Sequence, residues 1–172
     1  MTQQWLPPLV LFQDSGGDWD RYVQLLYEWF SADFLQSKPP WPGKRVQLKR
    51  YPISQGKEAT FWHMVSTGDN EADRIPDFRR CERIRWPRPF MEAFPARKPE
   101  PADVIVWWKS ERRGESRYLL APPDFTYLVV VADRGEYVLP WTHFVIDQPH
   151  RQNKLRKECA EYWATNKAGA AP

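Results

Sequence analysis

The chain has 172 residues, a hydrophobic fraction of 42% and ten tryptophans, which is enough apolar material for one folded domain and excludes wholesale disorder. Its net charge is +3, but residues 1–36 carry five acidic and one basic side chain, whereas the remaining chain carries 24 basic and 17 acidic ones. A basic body behind an acidic N-terminal segment is typical either of a protein with an anionic partner such as nucleic acid or of an ordinary basic surface.

The sequence lacks the usual signals for membranes, metals and disulfides. No apolar run is long enough to span a membrane, and no segment resembles a signal peptide, so we expect a cytoplasmic protein without a membrane partner. Cys81 and Cys159 lie far apart, and the three histidines show no ligand spacing. We therefore predict reduced cysteines, no bound metal and no cofactor.

The first third of the chain predicts an arm, a helix and two strands. Residues 1–17 form an extended arm, and Asp18 is the N-cap of an amphipathic helix within residues 18–36. The proline-rich segment 38–43 then breaks the helix. Alternating basic and apolar residues predict a strand over 44–53, and a second apolar run predicts a strand over 59–67 that carries His63.

The rest of the chain predicts a short helix, a meander and a final helix. Residues 77–83 follow Pro76 and favour a helix. Four strand-like runs at 103–109, 116–121, 125–132 and 137–146 are joined by short turns, and Pro140 requires an edge position or a bulge. A basic helix follows at 150–164, and residues 165–172 are expected to fray.

The predicted fold class is therefore α+β. We expect a single domain over residues 1–172 with a sheet-forming body at 44–147. An antiparallel sheet of four to six strands would pack against the N-terminal helix, and the basic helix would close the chain.

The clearest candidate chemistry lies between residues 60 and 89. His63 occupies an apolar run and is followed by a cluster that contains six arginines and three acidic residues. A proton-transfer group beside guanidiniums is what metal-free cleavage of a phosphodiester requires. The alternatives are a half-buried histidine with satisfied nitrogens and a solvated, ion-paired surface. The cluster contains Asp73, Arg74, Asp77, Arg79, Arg80, Glu82, Arg83, Arg85 and Arg88.

Further positive charge follows in the meander and the last helix. Lys109 ends the first meander strand, where it could face the same cleft as His63. His143 lies on the last strand beside Thr142. Phosphate contacts along a nucleic acid are the role expected of the remaining cations. The predicted nucleic-acid contacts are Arg79, Arg85, Lys109, Arg117, His143, Arg151 and Lys154.

Two parts of the chain resemble known proteins. Residues 61–66 and 76–86 resemble a group of uncharacterised bacterial proteins associated with phages and mobile elements. Residues 127–142 and the basic stretch 154–158 are similar to the end of the barnase–EndoU–colicin–RelE-like ribonuclease superfamily. That resemblance implies a helix packed on a four-stranded antiparallel sheet and metal-independent RNA cleavage, often by a toxin. His143 and Pro140 depart from the pattern of the late strand.

The resemblance also implies roles for individual residues. His63 would be the acid–base group, Arg80 and Arg83 would clamp the phosphate, Glu82 would be a second base or would orient the histidine, and Thr142 would hydrogen-bond substrate. The expected function is an endoribonuclease that leaves 2′,3′-cyclic phosphate ends, in a toxin–antitoxin or phage-defence system with a protein inhibitor. The alternatives are a non-catalytic nucleic-acid-binding module and a protein-interaction domain that uses its aromatic surface.

Overall fold

The computed structural model describes residues 4–166, which form five α-helices and seven strands. The predicted fraying of residues 165–172 falls mostly outside this range, as does the start of the predicted arm. In chain order the elements are α1 (Trp19–Phe30), β1 (Arg45–Val46), α2 (Ala59–Val65), β2 (Ser66–Thr67), β3 (Ile75–Pro76), α3 (Phe78–Glu82), α4 (Pro87–Glu92), β4 (Val106–Arg112), β5 (Glu115–Ala121), β6 (Tyr127–Asp133), β7 (Tyr137–Val145) and α5 (Pro149–Thr165).

These elements form two compact units. The helical unit contains the chain up to Pro39 together with Leu48–Pro89, and the sheet unit contains Pro40–Gln47 together with the chain from Phe90 onward. The α+β class is thus confirmed. Whether the chain behaves as the single domain that we predicted, and whether the N-terminal helix covers the sheet, stay predictions.

Helix α1 begins where the sequence predicts. The Asp18 carboxylate accepts a hydrogen bond from the Arg21 amide at 2.9 Å, which satisfies one of the unpaired N–H groups of the first turn. After Phe30 the helix continues as a π-helical turn over Ser31–Leu35. The buried face of α1 contributes Tyr22 and Leu26 to the core of the helical unit.

The predicted strand over 59–67 is wrong, because residues Ala59–Val65 form helix α2 and only Ser66–Thr67 are extended. Burial explains the difference. Phe61 and Val65 are four residues apart and both buried, which places them on one helical face, whereas His63 lies on the other side. Short apolar runs of aromatic and β-branched residues do not distinguish a strand from a buried helix.

Packing against residues 48–53 fixes the start of α2. The Ala59 and Thr60 amides donate to the carbonyls of Arg50 and Lys49 at 3.1 and 2.9 Å, so the unpaired amides of the first turn are satisfied by tertiary contacts. The carbonyls of Lys49 and Arg50 therefore bond to the start of helix α2 and not to a neighbouring strand. Of the strand predicted over 44–53, only Arg45–Val46 pair, as β1, and the rest of the prediction is wrong.

Aromatic rings fill the core of the helical unit. Phe61 of α2 meets Tyr27 and Phe30 of α1, with ring centroids 5.2 and 5.5 Å apart. Phe78 of α3 stacks on Tyr22 at 6.2 Å. These edge-to-face and stacked contacts hold α1, α2 and α3 together.

The sheet unit is built on a five-stranded sheet with the order β1-β7-β6-β5-β4. Strands β4 to β7 form the predicted antiparallel meander, but β1 pairs with β7 in parallel. The sheet is therefore mixed, and the prediction of a purely antiparallel sheet is wrong. A two-residue strand has no hydrophobic alternation from which its direction could be read.

Pro140 produces the predicted irregularity. The pairing of β6 with β7 shifts register between Val130 and Val131, so that Val130 faces Thr142 and Val131 faces Pro140. A proline has no amide to donate to the ladder, and a bulge accommodates it. The extra residue is Trp141, which is only half buried.

Helix α5 confirms the predicted C-terminal helix and extends it to Pro149–Thr165. Its Trp163 indole donates to the carbonyl of Trp107 at 2.6 Å, which anchors the helix to β4. Cys159 is buried beside the same carbonyl. Burial raises the pKa of the Cys159 thiol to about 11, so the thiol stays protonated at neutral pH.

The complete burial of Phe61 on α2 predicts the effect of truncating its side chain. Phe61→Ala should lower the free energy of unfolding by about 3–5 kcal/mol, because it leaves a cavity among rings that cannot collapse into it. Phe78→Ala is the comparison, since Phe78 is 46% exposed and should cost clearly less. Urea denaturation of both variants measures the difference, and equal losses would contradict the packing of α2.

Candidate functional site

His63 is bonded to a carboxylate. Its Nε2 lies 2.7 Å from Oε1 of Glu71, and the His63 side chain is 12% exposed. The same carboxylate oxygen accepts from Lys49 Nζ at 3.2 Å. The sequence did not single out Glu71, because nothing in its spacing from His63 shows that a short 3₁₀ turn, Glu71–Asp73, returns to α2.

Burial and charge set the ionisation of this pair. Burial lowers the pKa of His63 below its usual value, and the nearby Arg74 and Lys49 charges act in the same direction, which together outweigh Glu71. For Glu71, partial burial acts to raise the pKa, but hydrogen bonds from His63 and Lys49 outweigh it and the pKa is lowered. At neutral pH a neutral imidazole therefore donates from Nε2 to an ionised carboxylate, which leaves Nδ1 as the basic nitrogen.

The Arg80 guanidinium is directed at backbone and a carboxylate of its own unit. Its Nη1 donates to the Ser66 carbonyl at 2.7 Å, and its Nε lies 3.4 Å from Asp77. The Arg80 side chain is 14% exposed. These contacts stabilise the junction of α2 and β2, and the role of Arg80 as a phosphate clamp stays a prediction.

The other predicted residues of the helical unit also have neighbours. Arg83 lies 3.3 Å from the Glu82 carboxylate and covers the Trp86 ring at 5.1 Å. Arg85 stacks on Trp29 at 3.7 Å, and Arg79 is exposed. Their expected roles in cleavage or binding remain predictions.

A cavity of about 360 Å³ lies beside the His63–Glu71 pair. We call it the indole cavity, and it is lined by two tryptophans, two charged side chains and polar groups from the segments that flank α2. Six of its lining residues are Trp19, Pro52, Ser54, Trp62, Glu71 and Arg74. Of the residues that the sequence marked as catalytic or binding, none lines this cavity.

The sheet unit holds a second and larger concave surface, about 630 Å³ in volume, which we call the basic groove. One face of the sheet and helix α5 form its two sides. Strand pairing places Arg117 beside Ser110, and Val130 beside Thr142, on the same sheet face. Its polar and aromatic lining includes Arg112, Arg117, Trp141, Thr142, Phe144, Arg151 and Lys154.

Guanidiniums lie over the two aromatic rings of the basic groove. Arg117 lies over the Trp141 ring at 5.6 Å, and Arg151 lies over Phe144 at 5.7 Å. Arg134 approaches Trp141 at 5.7 Å. The groove thus brings together three of the predicted nucleic-acid contacts, Arg117, Arg151 and Lys154, with Thr142.

Ion pairing separates the cations of this groove into two kinds. Arg117 lies 2.9 Å from Glu115, and hydrogen bonds from Arg117 and Arg134 lower the pKa of that carboxyl. Arg112, Arg151 and Lys154 form no salt bridge within residues 4–166. Glu158 also lines the groove, but it forms no salt bridge with these three cations.

Two predicted contacts lie elsewhere in the sheet unit. Lys109 is 3.0 Å from Asp133 and lies 4.8 Å from the centre of the Tyr118 ring. His143 is fully buried, and its Nδ1 is 2.7 Å from the Tyr127 hydroxyl. Strand register places both on the sheet face opposite the groove, and a fully buried ring offers a nucleic acid no surface to contact.

The ionisation of His63 predicts a pH dependence of stability. Because the pKa of His63 in the folded protein lies below the usual histidine value of 6.5, the unfolded chain takes up this proton first as pH falls. The contribution of His63 is thus complete above about pH 6.5 and is lost as pH falls toward the lowered pKa. His63→Gln, which keeps a donor for Glu71, should lose less stability between pH 7.5 and 5.5 than the parent protein.

Urea denaturation across this pH range measures the effect. The parent protein, measured in the same buffers, is the reference. Identical profiles for His63→Gln and the parent protein would contradict a lowered pKa.

Comparisons with known proteins give no family. No protein-family model matches the chain, and no curated protein or solved structure shows significant similarity to it. The resemblance to the ribonuclease superfamily therefore stays a prediction. Within residues 4–166, no helix is long and apolar enough to cross a membrane.

Proposed function

We propose that this protein binds single-stranded RNA along the basic groove. The observation that carries the proposal is the presence, in one groove, of three cations that form no salt bridge in the described chain and two half-buried rings. The phosphates contact the cations, and unstacked bases stack on the aromatic rings. A duplex has no free base faces to offer the rings, so the arrangement favours single strands.

The groove residues divide into two roles. Arg112, Arg151 and Lys154 contact phosphate oxygens. Trp141 and Phe144 offer ring surface for stacking, and Thr142, which also lines the groove, carries a hydroxyl that can hydrogen-bond. Affinity then depends on salt, because each phosphate contact releases a counterion.

Removing two groove cations tests this proposal. The double variant Arg151→Gln, Lys154→Gln should bind a fluorescein-labelled single-stranded RNA more weakly, and its slope of log K against log salt should be shallower by about 1.4, at about 0.7 per phosphate contact. Fluorescence anisotropy over a salt series measures both quantities.

The matched control lies on the same helix. Lys157→Gln also removes a cation from α5, but Lys157 is 79% exposed and does not line the groove. It should change affinity and salt slope much less than the double variant. Equal effects of the two changes would show that binding depends on overall charge, and unchanged binding in the double variant would contradict the groove.

We further propose metal-independent endoribonuclease activity as a second function, with His63 as the acid–base group. The observation that favours it is the bond between His63 and an ionised carboxylate beside a cavity that also holds Arg74. His63 would take the 2′-hydroxyl proton as the 2′-oxygen bonds to phosphorus and the bond from phosphorus to the 5′-oxygen breaks. Water would protonate the leaving 5′-oxygen, so the products would carry 2′,3′-cyclic phosphate and 5′-hydroxyl ends. Glu71 takes over the orienting role that the sequence assigned to Glu82. Arg80 and Arg83, in the same unit as His63, remain candidates for phosphate contacts, and Thr142 remains a candidate substrate contact in the groove of the sheet unit.

This activity is testable with purified protein, RNA and EDTA. His63→Ala should lower the cleavage rate by about 10² to 10⁴, the usual contribution of a general acid–base group. Lys157→Gln is the control, because Lys157 lines neither the cavity nor the groove, and it should cleave at the parent rate. Undiminished cleavage by His63→Ala, or no cleavage by the parent protein, would rule out this role.

The cellular setting is part of the same proposal. A cytoplasmic ribonuclease of a mobile element would act as a toxin or in phage defence, and would require a protein antitoxin as its inhibitor. Buried free thiols at Cys81 and Cys159 are compatible with a reducing compartment. If the chain does not cleave RNA, the groove proposal describes a non-catalytic binding module.

A further inference from the structure

The indole cavity has rigid aromatic walls. The Trp62 indole Nε1 donates to the Ser54 carbonyl at 3.0 Å, which fixes the orientation of its ring. The ring centroid of Trp19 lies 6.1 Å from that of Tyr22 and 5.8 Å from that of Phe78. Two rings that are already held in position line a cavity of about 360 Å³, so Trp19 and Trp62 lose little side-chain entropy when a ligand binds. A flat ligand can place its face against such rings.

A carboxylate oxygen of the cavity is available as an acceptor. Both hydrogen bonds that Glu71 receives, from His63 and from Lys49, go to Oε1. Glu71 Oε2 has no hydrogen-bond partner among residues 4–166. The carboxylate is thus held in position by two neighbours and keeps one oxygen for a ligand N–H.

A guanidinium of the cavity is available as a donor. Arg74 donates from Nε to the Ser66 hydroxyl at 2.9 Å, from Nη2 to the Ser66 carbonyl at 2.8 Å and from Nη1 to the Gly68 carbonyl at 3.2 Å. Each Nη carries a second N–H. Gly68 permits this approach, since a Cβ there would lie 3.0 Å from the Arg74 Cα.

We infer that the indole cavity binds a nucleobase whose edge presents an N–H beside a carbonyl, as guanine and uracil do, in a mononucleotide or at a chain end. The N–H donates to Glu71 Oε2, and the carbonyl oxygen, with two lone pairs, accepts from the two Nη groups of Arg74. A ring nitrogen, as in the corresponding edges of adenine and cytosine, has one lone pair. The base lies against Trp62 and Trp19.

Charge around the cavity is consistent with a nucleotide. The charged residues that line the cavity are Arg74 and Glu71, Lys49 adds a positive charge beside Glu71, and His63 is neutral at pH 7. A cationic ligand is therefore disfavoured, whereas the phosphate of a nucleotide is tolerated. This inference does not depend on the basic groove, because each surface belongs to its own unit.

Isothermal titration calorimetry with GMP, UMP, AMP and CMP tests the inference at pH 7. GMP and UMP should bind at least tenfold more tightly than AMP and CMP. Trp62→Leu should weaken GMP binding at least tenfold, which corresponds to about 1.4 kcal/mol, and Arg74→Lys should remove the preference for GMP over AMP. Trp62→Phe keeps a ring and should retain most of the affinity.

The controls separate this site from the groove. Trp29→Ala removes an indole outside the cavity, and Arg151→Gln, Lys154→Gln removes groove cations; both should bind GMP as the parent does. Circular dichroism verifies that each variant is folded. Absence of mononucleotide binding, equal binding of all four nucleotides, or full GMP affinity in Trp62→Leu would each overturn the inference, whatever the outcome for RNA in the groove.

Discussion

Hydrogen bonds and ion pairs inside each unit determine which charged side chains can serve a ligand. Arg80, Arg83 and Lys109 all lie within 3.5 Å of a carboxylate of the chain. A ligand phosphate would have to compete with these partners and with the cost of leaving a half-buried carboxylate unpaired. Arg112, Arg151 and Lys154 form no such salt bridge in the described chain, and they line one groove. We propose the basic groove as the binding surface because of this difference in salt-bridge pairing, and not because of the density of arginines in the sequence.

The bulge at Pro140 connects the fold to that groove. Proline interrupts the ladder, the register shifts by one residue, and Trp141 and Thr142 reach the groove together. A regular strand would alternate them between the two sheet faces. The same alternation, beyond the bulge, buries His143 on the opposite face. A local backbone constraint thus decides which late-strand side chains are accessible.

In the helical unit, the conversion of a predicted strand into helix α2 creates the indole cavity. As a helix, residues 59–65 bury Phe61 and Val65 in the core and place Trp62 and His63 toward the segments on either side. Glu71 and Arg74 then return from the following loop. The result is a fixed carboxylate, a fixed guanidinium and two fixed rings, which are the elements of a site for a flat, polar ligand.

The sequence by itself determined the elements whose signals are local. Asp18 and the apolar stripe of α1, the meander with its short turns, the irregularity at Pro140 and the final helix depend on capping, periodicity and turn chemistry, all of which act over a few residues. Only the tertiary structure decided the state of residues 59–65, the parallel pairing of β1 and the partners of His63 and the arginines. Those outcomes depend on contacts with distant residues, such as the Lys49 carbonyl for α2 and Glu71 for His63, and neither propensity nor spacing contains that information.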